Sequence, residues 1–211
     1  ALVVRGTIFG PHGRDADIAG AVYAIAVENR GSTAASVAIA LEGTLGHRQQ
    51  RVRSARPFDD AHRVSTSGET IVLEGAALPG VASLALSADA QAELEVRDGA
   101  SPGYAIRRTL EIAPGGRGEA AFYIAAGPER DGAQATAAVM RRRGWRELLA
   151  ATRDALQALE QSTGSDAIDR LVNRNLLFAY FYAVGRALDD AHYYLVRTRA
   201  PWHELGVTTR Y

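Results

Sequence analysis

The 211-residue chain contains no cysteine. Disulfides, thiolate metal sites and thiol nucleophiles are therefore excluded. Lysine is absent too, so arginine carries all of its permanent positive side-chain charge. An imine-forming lysine and the lysine of a phosphate-binding loop go with it. No apolar run reaches the roughly 18 residues needed to cross a bilayer. The opening ALVVRGTIFG lacks the basic start and cleavage site of a secretory leader and reads as a strand from its first residues. Either a leader has been removed or the chain starts inside a longer protein, and cytoplasm is expected over secretion. An excess of one charge is also missing, with 24 basic and 24 acidic residues. Neither nucleic acid nor an anionic membrane surface would be drawn to such a chain from a distance.

What is present divides into two unlike halves. Up to about residue 127 the pattern is that of short strands separated by turns. Residues 2–9 are rich in β-formers and stop at Gly10-Pro11-His12-Gly13. Over 21–28, Val22, Ala24 and Ala26 alternate with Tyr23, Ile25 and Val27, which puts small residues on one face. Asn29-Arg30-Gly31-Ser32 follows as a turn, and 36–41 as the next strand, so 21–41 reads as a hairpin. Further strands are expected over 47–54, 70–73, 82–87, 93–96, 104–112 and 119–125. The turns between them include Leu78-Pro79-Gly80 and Asp98-Gly99, and 113–118 reads as a plain loop. This spacing predicts an antiparallel β-sandwich over residues 1–130.

After residue 130 the period lengthens. Residues 131–143 are Ala-rich and helical, and Gly144 interrupts them. Trp145, Leu148, Leu149, Thr152, Leu156 and Leu159 then follow three-and-four spacing, an amphipathic helix that ends at Ser162-Thr163-Gly164. Residues 131–164 thus read as a helical linker. Ser165 is a good N-cap for a third helix running to about Asp189. From Leu176 to Val184 that helix is apolar all round, the mark of a helix buried on most sides. The rest of the chain supplies few elements to bury it.

Few residues suggest chemistry of their own. The five histidines (His12, His47, His62, His192, His203) show no metal-ligand spacing, and His12 reads as a turn residue. Asp15 and Asp17 lack the rest of a calcium loop. Arg141-Arg142-Arg143 before Trp145 reads as the solvated face of a helix, since one short run in a neutral protein is poor support for nucleic-acid binding. Gly115, Gly116 and Gly118 lack the strand-to-helix setting of a dinucleotide site. No metal, organic cofactor, nucleic-acid partner or membrane partner is expected.

The stretch Asn173-Arg174-Asn175-Leu176-Leu177-Phe178-Ala179-Tyr180-Phe181-Tyr182-Ala183-Val184-Gly185-Arg186-Ala187-Leu188-Asp189-Asp190 resembles the opening helix of the six-hairpin glycosidases. These are (α/α)-toroid enzymes that include amylo-1,6-glucosidase-like proteins, bacterial glucoamylases and disaccharide phosphorylases. Leu195-Val196-Arg197-Thr198-Arg199-Ala200-Pro201-Trp202 is similar to their first inter-helix segment, although Thr198 and Ala200 stand where serine is common. Gly10-Pro11-His12-Gly13-Arg14-Asp15 and Ala126-Gly127-Pro128-Glu129-Arg130-Asp131-Gly132-Ala133 resemble parts of the same architecture. The resemblance implies a sandwich, a linker and, over 165–211, the first helix and loop of a toroid. Six hairpins need roughly 300 residues or more, so the catalytic acid and base would lie outside this chain. It would then be the non-catalytic front of a glycoside hydrolase, acting on an oligo- or polysaccharide through the missing toroid.

Within that frame the segment around Trp202 is the expected sugar contact. Trp202 can stack on the apolar face of a sugar, while Arg197, Arg199, His203 and Glu204 can bond hydroxyls. Catalytic residues are expected to be absent, because Asp189 and Asp190 read as a helix end and no carboxylate pair is credible. A stand-alone carbohydrate-binding or structural sandwich, forming homo-oligomers through the apolar helix, is the other reading that the residues allow.

Overall fold

The computed structural model describes residues 1–44, 48–50, 58–60, 62–75, 83–99, 102–127, 129–186, 193–197 and 206–210. Eleven strands come first: β1 (Leu2–Phe9), β2 (Gly20–Asn29), β3 (Ala35–Thr44), β4 (Arg48–Gln50), β5 (Phe58–Asp60), β6 (His62–Ser67), β7 (Thr70–Gly75), β8 (Ser83–Ala88), β9 (Glu93–Arg97), β10 (Gly103–Ile112) and β11 (Arg117–Gly127). Helices α1 (Arg130–Arg143), α2 (Trp145–Gln157) and α3 (Asp166–Ala183) follow, then short strands β12 (Val184–Arg186), β13 (Tyr193–Arg197) and β14 (Gly206–Arg210). The chain is mainly antiparallel β with C-terminal helices, as its patterning predicts.

Two sheets form the sandwich. One has six strands in the order β1-β2-β11-β8-β7-β6, the other three in the order β3-β10-β9. Alternation sorts the side chains of the larger sheet between two cores. Tyr23, Ile25, Ile71, Leu86 and Phe122 face the smaller sheet and pack with Ile39, Leu41 and Ile106. Val22, Ala24, Ala85, Ala121, Tyr123 and Ala125 point the other way, onto Ala133, Ala137 and Met140 of α1 and Leu148 of α2. The small face expected over 21–28 is thus the face that receives a helix. Alanine on both sides lets the α1 backbone approach the sheet closely. Helices α1 and α2 are a third layer, and β11 at the centre is buried on both faces.

Gly144 makes the corner between α1 and α2. Its φ of 78° lies in the region that glycine enters without a Cβ penalty, and its N–H still donates to the carbonyl of Met140.

The expected hairpin over 21–41 does not form. β2 pairs with β1 and β11, whereas β3 pairs with β10 in the other sheet. The turn between β2 and β3 is an arch from one sheet to the other, and Asn29 holds it. This buried amide donates to the carbonyls of Thr33 (2.8 Å), Ile112 (3.1 Å) and Ala113 (3.3 Å) and accepts from the N–H of Gly31 (2.9 Å). Its backbone exchanges bonds with Gly115 and Gly116. The loop after Ile112 is therefore a second crossover, latched to the first, and β11 begins at Arg117.

α3 also departs from expectation. It ends at Ala183 rather than near Asp189, and Val184–Arg186 is extended and pairs with Tyr193–Arg197. The reason is local: β-branched Val184 and Gly185 both disfavour continuing a helix, and Tyr193, Tyr194 and Val196 favour a strand. β12, β13 and β14 form a small antiparallel sheet. Among the described residues, 165–211 holds one helix and this sheet, with no second helix to complete a hairpin. The described side chains of α3 up to Leu177 are all at least partly exposed, including Ile168 (51%), Leu171 (62%) and Leu176 (37%).

Candidate functional site

Of the residues expected to contact sugar, Arg199, Trp202, His203 and Glu204 lie outside the described residues. Arg197 is the last residue of β13, opposite Gly206 of β14. The chemistry that the structure assembles lies on the helix-covered face of the larger sheet, in two places.

The first is the dock between the loop after β1 and the helices α1 and α2. A short 3-10 turn, Gly13–Asp15, sits against α2. Asp15 is only 2% exposed, and its carboxylate pairs with Arg143 at the end of α1. Arg143 also bonds Glu147 at 2.7 Å, and Glu147 bonds Arg14 at 3.1 Å, so the four charges form a chain across the joint. Pairing with these carboxylates, Glu147 foremost, raises the Arg143 pKa above its ordinary value. The N–H of His12 donates to the hydroxyl of Thr152 at 3.1 Å. Burial there pushes the imidazole pKa below its usual value, because the charged form loses hydration. Gly13 has a φ of 70°, and a Cβ on it would stand 2.6 Å from the Cβ of Ala155. The Gly10–Asp15 motif is thus a turn, as its residues suggest, and it is built to seat a helix. The arginine run is likewise not a free basic face. Arg143 serves this joint, Arg141 pairs with Glu69, and Arg142 is exposed.

The second place is a cleft between α1 and the strands β7 and β8, with a cavity volume of about 380 Å³. The strand register creates its floor. Thr70 is opposite Ser87 on β8, and Ser87 is opposite Tyr123 on β11, so three hydroxyls lie in one row across the sheet. Thr70, Ser87 and Asp89 line the cleft from the sheet side. Arg141 and Arg142 line it from α1, where Ala137 and Ala138 leave room. The Tyr123 hydroxyl lies beyond this lining and accepts the N–H of Trp145 at 3.1 Å. Burial, and then the nearby Asp89 carboxylate, push the Tyr123 pKa up. Asp89 pairs with Arg108 of the smaller sheet at 3.5 Å. Glu69 holds Arg141 from the cleft rim, and the guanidinium draws the Glu69 pKa down. Ser87 is 2% exposed, and its Oγ has no hydrogen-bond partner among the described residues.

This cleft is not legible as a motif. Its residues come from three elements and are joined only by register and helix placement. The available signal is a pair of hydroxyl side chains, Thr70 and Ser87, on the strand face that also carries Val72 and Ala85. Among the described residues, no cluster of three or more His, Asp or Glu has metal-binding geometry, and no helix is long and apolar enough to cross a membrane.

No protein-family model matches the chain, and no curated protein matches it. Among solved structures, a putative kojibiose phosphorylase from human microbiome is similar, with a TM-score of 0.41 and 9% identity. The match covers 87% of this chain and 22% of that one, so this chain spans less than a quarter of that protein's length.

Proposed function

We propose that this chain is the non-catalytic N-terminal portion of a carbohydrate-active enzyme of the six-hairpin glycosidase type, with its catalytic carboxylates elsewhere. In this reading the sandwich and the linker form a scaffold, and α3 is the first element of a helical ring. The enzyme would cleave a glycosidic bond by acid/base catalysis, which requires two positioned carboxyl groups. No such pair is assigned to this chain.

The observation that carries this reading is the contrast between the linker helices and α3. α1 and α2 bury their apolar faces on the sheet, while α3 leaves Ile168, Leu171 and Leu176 exposed. Covering a large apolar side chain contributes roughly 1.5–3 kcal/mol, so a surface that received α3 would gain several kcal/mol. The helices of a toroid would provide such a surface.

The reading frame beyond the Tyr211 codon tests the proposal. Paired amphipathic helices with an Asp or Glu in their connecting loops are expected, and an immediate stop codon would overturn it. Turnover of an aryl glycoside by the purified 211-residue chain would overturn the non-catalytic assignment. The same exposed stripe also suits a stand-alone module that self-associates. That rival predicts a concentration-dependent oligomer that Leu171→Glu dissociates.

A further inference from the structure

We propose that the cleft between α1 and the strands β7 and β8 binds a small neutral polyhydroxy molecule of monosaccharide size. This goes beyond the scaffold role, since it gives the sandwich a ligand of its own away from any catalytic centre.

The starting point is Ser87. Its hydroxyl can donate once and accept twice, yet it lies in a buried row and its Oγ has no partner among the described residues. Tyr123, next in the row, has its oxygen engaged by the Trp145 N–H. Ser87 instead lines the cleft, with Thr70 on one side and Asp89 two residues along its own chain. The remaining polar capacity is of mixed sign. Asp89 pairs with Arg108, but a carboxylate has about four acceptor sites, so one ion pair leaves several. Arg141 is held by Glu69, whereas Arg142 has no ion pair among the described residues and offers its whole donor fork.

Charge then selects the ligand. A cation in the cleft would face Arg142, the lining charge with no ion pair among the described residues, and an anion would face the Asp89 carboxylate, whose Oδ1 has no hydrogen-bond partner there. A neutral molecule with adjacent hydroxyls escapes both. It can donate to Asp89 and Ser87 while it accepts from Arg142 and Thr70. The volume agrees, since about 380 Å³ lies near the lower end of the roughly 300–1,000 Å³ usual for small-molecule sites. No aromatic ring is among the lining residues, so the site has no platform on which a sugar chain could stack. Recognition would rest on hydroxyl bonding to one compact unit.

Amide NMR titration of the full chain with D-glucose, D-galactose, myo-inositol and glucose 6-phosphate tests this. Saturable shifts at Thr70, Ser87, Asp89 and Arg142 with at least one neutral probe are expected, with an affinity on the order of millimolar. Ser87→Ala and Arg142→Ala should each weaken binding about tenfold. Both should leave the dispersion of the spectrum intact, because one removes only an unpartnered hydroxyl and the other an exposed side chain. No shift with any probe at about ten times the expected millimolar constant would overturn the proposal. So would shifts unaffected by both substitutions, or shifts with glucose 6-phosphate alone. This outcome separates from the test of the proposed function: an empty cleft says nothing about the downstream reading frame, and a stop codon there leaves the titration unchanged.

Discussion

Replacing one leucine in each of two helices should give opposite results. Leu148 in α2 is fully buried against the sheet, and Leu171 in α3 is 62% exposed. Leu→Ala removes three carbons, which is roughly 2–2.5 kcal/mol of transfer free energy at Leu148. The void left under α2 adds to that, and measured Leu→Ala losses in cores run from about 2.7 to 5 kcal/mol. α2 is an outer-layer helix and can settle part-way into the gap, so about 3 kcal/mol is expected. At Leu171 the exposed surface has little transfer free energy to lose, and alanine is a slightly better helix former. The change there should stay within about 0.5 kcal/mol. Urea unfolding followed by tryptophan fluorescence reads both, at a concentration where sedimentation shows monomer. With an m-value near 2 kcal/mol per molar, Leu148→Ala should lower the midpoint by about 1.5 M and Leu171→Ala by less than about 0.3 M. Equal losses at the two positions would mean that α3 is covered in the free chain, and the reading of α3 as an unpartnered element would fail.

Three further outcomes follow from the joints of the fold. Gly13→Ala should cost about 2–4 kcal/mol, because it combines a left-handed backbone with a collision at Ala155; thermal unfolding and faster amide exchange in α2 check it. Asn29→Ala should cost about 2–3 kcal/mol by stranding carbonyls of two crossovers at once, and Asn29→Asp should not rescue, since a carboxylate cannot donate to them. His12 should make the fold acid-sensitive. Its folded pKa is depressed by burial, so below about 6.5 the unfolded state binds the extra proton. The stability it confers is present above that pH and lost as pH falls through the folded value, and His12→Gln should flatten that part of the pH–stability curve relative to wild type.

Much of the architecture was legible because alternation and helical spacing are local. The small face of β2 and the stripe from Trp145 to Leu156 identify the strand and helix that they form, and the small face even marks where a helix lands. Strand partners were not legible. Asn29-Arg30-Gly31-Ser32 has the composition of a hairpin turn, but Asn29 spends its side chain on carbonyls 83 and 84 residues away, and nothing local encodes that. The end of α3 is hidden in the sequence because its apolar composition continues past Ala183, where the β-preference of Val184 takes over. Asp15 was visible as part of a turn motif, but its role depends on Arg143, 128 residues further along. The cleft was hidden for the same reason. It exists only once two strands are in register beneath a helix.

The passage from α2 to α3 carries its own consequence. Ala158, Leu159 and Glu160 still bond back to Asp154, Leu156 and Gln157, so they continue the turn of α2. Gln161 and Thr163 are already gripped by Asn173 and Asp169 of α3, through bonds of 2.6–3.0 Å. Between these two sets of ties there is almost no slack chain. Whatever α3 belongs to would be held at a fixed reach from the sandwich, able to swivel about a single link but not to drift from it.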